Sequence, residues 1–199
     1  MSSHAVEMPT GDQALQQLLA GNERYRQGQL GHPHQTIDRR HELTGGQAPF
    51  AIVLGCSDSR IPPEVVFDQG LGDIFVIRVA GNIIDDVVLG SIEYAAAHLG
   101  TPLVVVLGHS SCGAVTATVA GGELEGHLPS LAAAIQPAVT KAKEQPGELL
   151  PNAIKTNAQM MADQLRSSEP VMAELVQAGK LKVVAAYYEL DSGKVAILP

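Results

Sequence analysis

Three side chains suited to soft metal ions stand at matched places in this chain. The apolar run 50–54 ends in Gly55 and Cys56, the run 103–107 ends in Gly108 and His109, and Cys112 follows three residues later. Both runs read as strands buried on two faces. In an open parallel sheet, ligands gather beyond the carboxyl ends of the strands. Neighbouring strands would therefore bring Cys56 and His109 to one edge, with Cys112 opening the next helix. Two thiolates and one imidazole suit zinc, and three protein ligands with an open fourth position are the catalytic arrangement. Each half alone is weak: a strand-end cysteine is commonly a small buried hydrophobe, and His-x-x-Cys is a loose pattern. The close Cys-x-x-Cys hooks of a structural site are absent, and spacing leaves a Cys56–Cys112 disulfide open. A cysteine-phosphatase loop is excluded, because the positions where its arginine would fall hold Pro62 and Thr118.

The loop after Cys56 adds charge. Ser57-Asp58-Ser59-Arg60 sets a carboxylate and a guanidinium beside the first ligand. An aspartate there could accept a proton from bound water or ligate the ion itself, and a nearby arginine keeps it ionised and oriented. Alone, the pair would read as a surface ion pair of little consequence. Next to Cys56 it belongs to the site.

The elements that must position these residues follow from periodicity. A helix is predicted over 12–27, with Asp12 as N-cap and Gly28 as stop. Residues 31–47 cross the surface, with room for a short helix near 37–43. Strands are predicted at 50–54, 73–79 and 103–107, and helices at 85–99, 112–120, 128–143 and 148–178, the last broken at Pro170. Residues 181–190 and 194–198, joined through Asp191-Ser192-Gly193, read as a terminal hairpin. Strands that alternate with helices imply crossover connections. The expected class is α/β: one domain over 1–199 with a mostly parallel central sheet covered by helices. A C-terminal β-hairpin lies at its edge, and an N-terminal helical arm (1–45) precedes the α/β core (46–199).

Composition agrees with that outline. The chain of 199 residues is 45% hydrophobic but only 4% aromatic, without tryptophan, so its core is built from small aliphatic side chains. A net charge of −8 argues against a polyanionic partner, so no nucleic acid is expected. No window approaches the roughly 18 apolar residues that span a bilayer, and residues 1–30 lack a signal-peptide pattern, so a cytoplasmic protein with reduced thiols and no membrane association is expected.

Cys56-Ser57-Asp58-Ser59-Arg60 followed by His109-Ser110-Ser111-Cys112-Gly113 resembles the β-class carbonic anhydrases. The likeness extends through Gly46-Gln47-Ala48-Pro49-Phe50, Phe67-Asp68-Gln69-Gly70-Leu71-Gly72-Asp73-Ile74-Phe75, Arg78-Val79-Ala80-Gly81-Asn82 and Ser91-Ile92-Glu93-Tyr94. It also takes in Leu19-Ala20-Gly21-Asn22-Glu23-Arg24-Tyr25, while residues 121–178 add nothing to it. The resemblance implies reversible hydration of carbon dioxide to bicarbonate and a proton by attack of zinc-bound hydroxide. One zinc ion per chain would sit on Cys56, His109 and Cys112, with Asp58 and Arg60 as a catalytic dyad. It implies a substrate pocket from Gln47, Phe75, Ala80, Tyr94 and Gly113, partly supplied by a neighbouring subunit, and hence a homodimer or tetramer. Two thiolates leave zinc formally neutral, so its water is less acidic than at an all-histidine site and activity should rise with pH above neutrality.

Asp58 could hold the nucleophile through a hydrogen bond or swing onto the metal and close the site. Some family members close, often with a tryptophan at the position held here by Val53 as part of a non-catalytic bicarbonate site. Its absence resembles the members that stay open. The same ligands occur in relatives that hydrolyse carbonyl sulfide or carbon disulfide, and from the residues alone a non-catalytic zinc protein or a thiol redox protein stands beside the hydrolytic readings. Metal content separates these classes. His98 and Tyr94 are candidates for a proton shuttle, whereas His4, His32, His34, His41 and His127 are expected to face solvent.

Overall fold

The computed structural model describes residues 8–199, so His4 and the start of the N-terminal arm lie outside the described residues. Helix α1 (Gly11–Arg26) is followed by the short α2 (Ile37–Glu42), strand β1 (Ala51–Gly55), a single helical turn α3 (Pro63–Val66) and β2 (Ile74–Arg78). Next come α4 (Asp86–Glu93), which runs on into a π-helical turn over Tyr94–His98, then β3 (Leu103–His109), α5 (Gly113–Ala120), α6 (Leu128–Ala142), α7 (Leu149–Ser167) and α8 (Val171–Gln177). Strands β4 (Lys182–Tyr188) and β5 (Val195–Ile197) close the chain. This is a single α/β domain with the sheet order β2-β1-β3-β4-β5, parallel except for β5, which runs antiparallel to β4.

The order carries the function. From β1 the chain moves outward to β2, then crosses back over β1 to lay β3 on its other side. The reversal falls between β1 and β3, and a crevice opens beyond their carboxyl ends. Alternation along these strands divides the core into two layers. Val53, Val105 and Leu107 face one layer with Ala14 and Leu18 of α1 and Ile135 and Val139 of α6. Ile52, Leu54, Val104 and Val106 face the other with Val88 and Ile92 of α4, Leu165 of α7 and Met172 of α8. Burial on both faces accounts for the uninterrupted apolar runs of β1 and β3, whereas β2, an edge strand, is only half-buried.

Several local expectations are corrected. Thr10, not Asp12, caps α1: its hydroxyl accepts from the Gln13 amide while the Gln13 side chain accepts from the Thr10 amide, a reciprocal capping box. Asp12 instead lies in the first turn and pairs with Lys182. Strand β3 runs past Leu107 to His109, because β4 continues the ladder to the pair His109–Tyr188. Gly108 suits this extension: a Cβ there would lie 3.3 Å from Ala158 Cβ, so its absence lets α7 close on the strand. The hairpin loop spans 189–194, with Gly193 at φ 68° donating to the Glu189 carbonyl. The turn α3, forced by Pro62-Pro63, has no periodicity of its own and was missed. No helix of the described residues is long and apolar enough to cross a membrane.

Candidate metal centre

Parallel pairing sets Gly55 of β1 level with Leu107 of β3, so each strand ends within two residues of a ligand. Beyond His109 the chain reverses through Ser111, which adopts φ 55°, and Cys112 becomes the residue that caps the start of α5. The ligand atoms of Cys56, His109 and Cys112 lie within 4.8 Å of one another, close enough to share one ion. All three side chains are buried and both cysteines are free thiols, so the disulfide left open by spacing is not formed.

The imidazole tests whether this cluster fits a metal. His109 Nδ1 lies 2.9 Å from the Ser110 carbonyl, an acceptor, so Nδ1 carries the proton and donates it. Nε2 is then a bare lone pair, fully buried and without a hydrogen-bond partner among the described residues. A buried acceptor is costly to leave unsatisfied, and a cation beside two sulfurs satisfies it. Cys56 is prepared for the same task. The hydrogen bond from Cys112 is the largest cause that lowers its thiol pKa to about 4, against burial, with the Gly81 amide adding to it. The Gly81 nitrogen stands 3.3 Å from Cys56 Sγ. The same sulfur contact, together with burial, pushes the Cys112 thiol up. The thiolate is the form that binds metal.

Asp58 and Arg60 form a bidentate pair beside the cluster. Arg60 Nε donates to Asp58 Oδ1 at 2.9 Å and Nη2 to Oδ2 at 2.7 Å, while the Arg60 amide adds a third bond to Oδ1 at 3.0 Å. These bonds hold the Asp58 carboxyl well below the usual carboxylate range, with the Arg60 side chain the largest cause. Asp58 Oδ2 lies 4.0 Å from His109 Nε2, and Arg60 Nη2 also donates to the Ser111 carbonyl at 3.2 Å, tying the two ligand loops together.

Sequence reasoning missed Arg78 and Gly81 as part of this site. Arg78, paired with Gly55 at the end of β2, donates to the carbonyls of Cys56 at 2.9 Å and Asp58 at 2.6 Å, bracing the first loop. Its signal was available: β2 is a third parallel strand whose carboxyl end falls at the same edge. Gly81, at φ 75°, aims its amide at Cys56, and a Cβ on it would come within 2.7 Å of Ile135 Cδ1.

The five expected pocket residues divide. Ala80 and Gly113 line one apolar cavity of about 220 Å³, with Ala114, Ala117, Leu128 and Leu131 among its walls. Phe75, on β2, pairs with Ile52 of β1 and packs in the opposite core layer from Cys56, its ring centroid 6.3 Å from that of Tyr94. Tyr94 is 48% exposed and stacks on His98 at 5.6 Å. Gln47 is exposed ahead of β1, at the opposite end of the strand from Cys56. Within one chain, then, Gln47, Phe75 and Tyr94 are not brought to the cluster. His32, His34, His41, His98 and His127 are all exposed.

Fold and site together define an α/β protein with a Cys-His-Cys centre at the reversal point of a parallel sheet. More narrowly, the chain belongs to the β-class carbonic anhydrase family: the family model described as carbonic anhydrase matches residues 51–195. It is 39% identical over 188 residues to carbonic anhydrase 2 of Mycobacterium tuberculosis, covering 92% of this chain and 91% of that protein. A carbonic anhydrase of Mycolicibacterium smegmatis is 41% identical over 189 residues, with 92% and 91% covered. Among solved structures, a tetrameric β-carbonic anhydrase from the filamentous ascomycete Sordaria macrospora superposes with a TM-score of 0.75 at 26% identity, covering 94% of this chain and 97% of that one.

Proposed function

We propose that this chain catalyses the reversible hydration of carbon dioxide to bicarbonate and a proton, with one zinc ion per chain held by Cys56, His109 and Cys112. The observation that carries the reading is the buried, unpartnered His109 Nε2 set within 4.8 Å of two sulfurs. Zinc, when bound, acidifies water and so supplies a nucleophile near neutral pH. An ionised Asp58 would accept a hydrogen bond from that nucleophilic water and so fix which lone pair faces the substrate. Arg60 engages both Asp58 oxygens, which favours the open site over one closed by the carboxylate. Arg78 keeps the loop in place from below.

The cavity beside Ala80 and Gly113 offers an apolar wall to a small apolar substrate. Gln47, Phe75 and Tyr94 complete the pocket when a neighbouring subunit supplies them, so the active unit is a homodimer or tetramer, in keeping with the tetrameric Sordaria relative. A cytoplasmic location fits two buried free thiols and the lack of a membrane-length helix among the described residues.

The test is stopped-flow carbon dioxide hydration with and without a zinc chelator, together with metal analysis. Activity that falls with zinc, and about one zinc per chain that is lost in Cys56→Ser, is the expected result. Full activity in metal-free protein would overturn the reading.

A further inference from the structure

Helix α7 backs the metal centre at two points. At the first, Ala158 and Ile154 close on Gly108, leaving 3.3 and 3.4 Å for the Cβ that residue lacks, directly before His109. At the second, Asn157 Nδ2 donates to the Gly81 carbonyl at 2.9 Å, and Gly81 in turn donates its own amide to Cys56 Sγ at 3.3 Å. Ile154 and Ala158 thus meet the strand that carries His109, and Asn157 reaches the turn after β2 whose amide meets Cys56.

Asn157 is an expensive choice for that position as packing alone. It is fully buried, its neighbours Ala153, Ile154 and Ala158 on the same helix are apolar, and its Oδ1 has no hydrogen-bond partner among the described residues. An aliphatic side chain would fill the site without burying an unsatisfied oxygen. What an aliphatic side chain cannot do is hold the Gly81 carbonyl. That residue needs holding: at φ 75° and ψ 14° it sits in the left-handed region, between Ala80 and a second left-handed residue, Asn82 at φ 43°. Its carbonyl and its N–H belong to the two peptides that meet at one Cα, so releasing the carbonyl frees Gly81 to leave this conformation and turn its N–H away from the sulfur.

We infer that Asn157 is a positioning residue for Cys56, acting through the Gly81 amide; the inference rests on zinc binding at Cys56, His109 and Cys112. The N–H bond to sulfur both aims the ligand and draws charge from it, as outer hydrogen bonds to metal ligands do. Loss of Asn157 therefore loosens the metal and leaves a more electron-rich thiolate.

The experiment compares Asn157→Leu and the smaller Asn157→Ala with Leu165→Ala, a buried truncation on the same helix that faces the second core layer. Release of zinc to a chromophoric chelator and the thiolate-to-metal charge-transfer band of the cobalt(II)-substituted protein are read, with thermal midpoints alongside. Either Asn157 variant should release zinc about 10- to 100-fold faster and shift the cobalt band to longer wavelength. Leu165→Ala should lower the thermal midpoint while leaving both readouts at wild-type values. Release within about twofold of wild type and an unmoved band in a folded Asn157 variant would overturn the inference, as would equal changes in Leu165→Ala. Failure of the underlying reading looks different: the wild-type protein itself would then hold no zinc or cobalt.

Discussion

The two loops that build the metal centre are made in opposite ways. After β1 the chain comes to the surface past Cys56: Ser57, Ser59 and Arg60 are exposed, and the loop is held by charged side chains, Arg60 on Asp58 and Arg78 on two carbonyls. After β3 the chain stays inside through Ser110, and uncharged contacts with the end of the sheet hold it. The Ser110 amide donates to the Tyr188 carbonyl at 2.9 Å, and Ser110 Oγ accepts from the Leu190 amide at 2.9 Å. The contrast separates tuning from assembly. Cys56 itself aside, substitutions in the first loop should change chemistry while the metal stays, and those in the second should change metal binding or stability before chemistry.

The largest effect is expected from His109→Ala. It removes the one nitrogen ligand and leaves a cavity in a fully buried position. Zinc content should fall to near zero, and carbon dioxide hydration should fall to the uncatalysed rate. Zinc retained at one per chain would break the comparison at once, because the second loop would then not be the assembling one.

Asp58→Asn should act in the other direction, keeping zinc but lowering kcat by about 100-fold, the scale of one lost orienting hydrogen bond at the reacting centre. The pH dependence sharpens this. Arg60 holds the Asp58 carboxyl below the ordinary carboxylate value. The folded pKa is the lower one, so the stability this pair lends is complete above the unfolded value of about 3.9 and is lost only as the pH falls through the depressed one. Asp58 is therefore fully ionised wherever the enzyme works, and the expected rise of activity above neutrality has its inflection elsewhere. Arg60→Ala lets the Asp58 value climb back toward the ordinary carboxylate range, so the profile between roughly pH 6 and 9 should drop in height without moving along the pH axis. An inflection displaced by half a unit or more in a stopped-flow profile would contradict that assignment.

How much of this was legible before the fold was known depended on the range of the cause. Cys56, His109 and Cys112 could be placed at one edge because strand ends are marked locally, by an apolar run and a glycine, and parallel sheets collect their ends. Asp58 and Arg60 were readable for the same reason, being two residues apart on one loop. Asn157 was not: it stands 76 positions from the Gly81 carbonyl it holds, inside a stretch whose sequence shows only an amphipathic helix. The extension of β3 to His109 escaped notice because Gly108 reads as a stop, whereas its work is to admit α7. Gln47, Phe75 and Tyr94 lie apart from the cluster within one chain, so a pocket that includes them requires a second subunit.

The smallest effect belongs to Ser110→Ala, and it tests the comparison most closely because Ser110 adjoins the histidine ligand. The substitution keeps the Ser110 carbonyl that orients His109 Nδ1 and removes only the hydroxyl that accepts from the Leu190 amide. A half-buried N–H loses its partner, which costs about 1–3 kcal/mol. In a chain of this length that corresponds to a fall of about 2–12 °C in Tm by calorimetry. Zinc content should stay at one per chain, and kcat should stay within about twofold of wild type, because no group near the reacting atoms changes charge or position. Should kcat fall tenfold at an unchanged Tm, the second loop would be tuning chemistry as the first does, and the division of labour between them would fail.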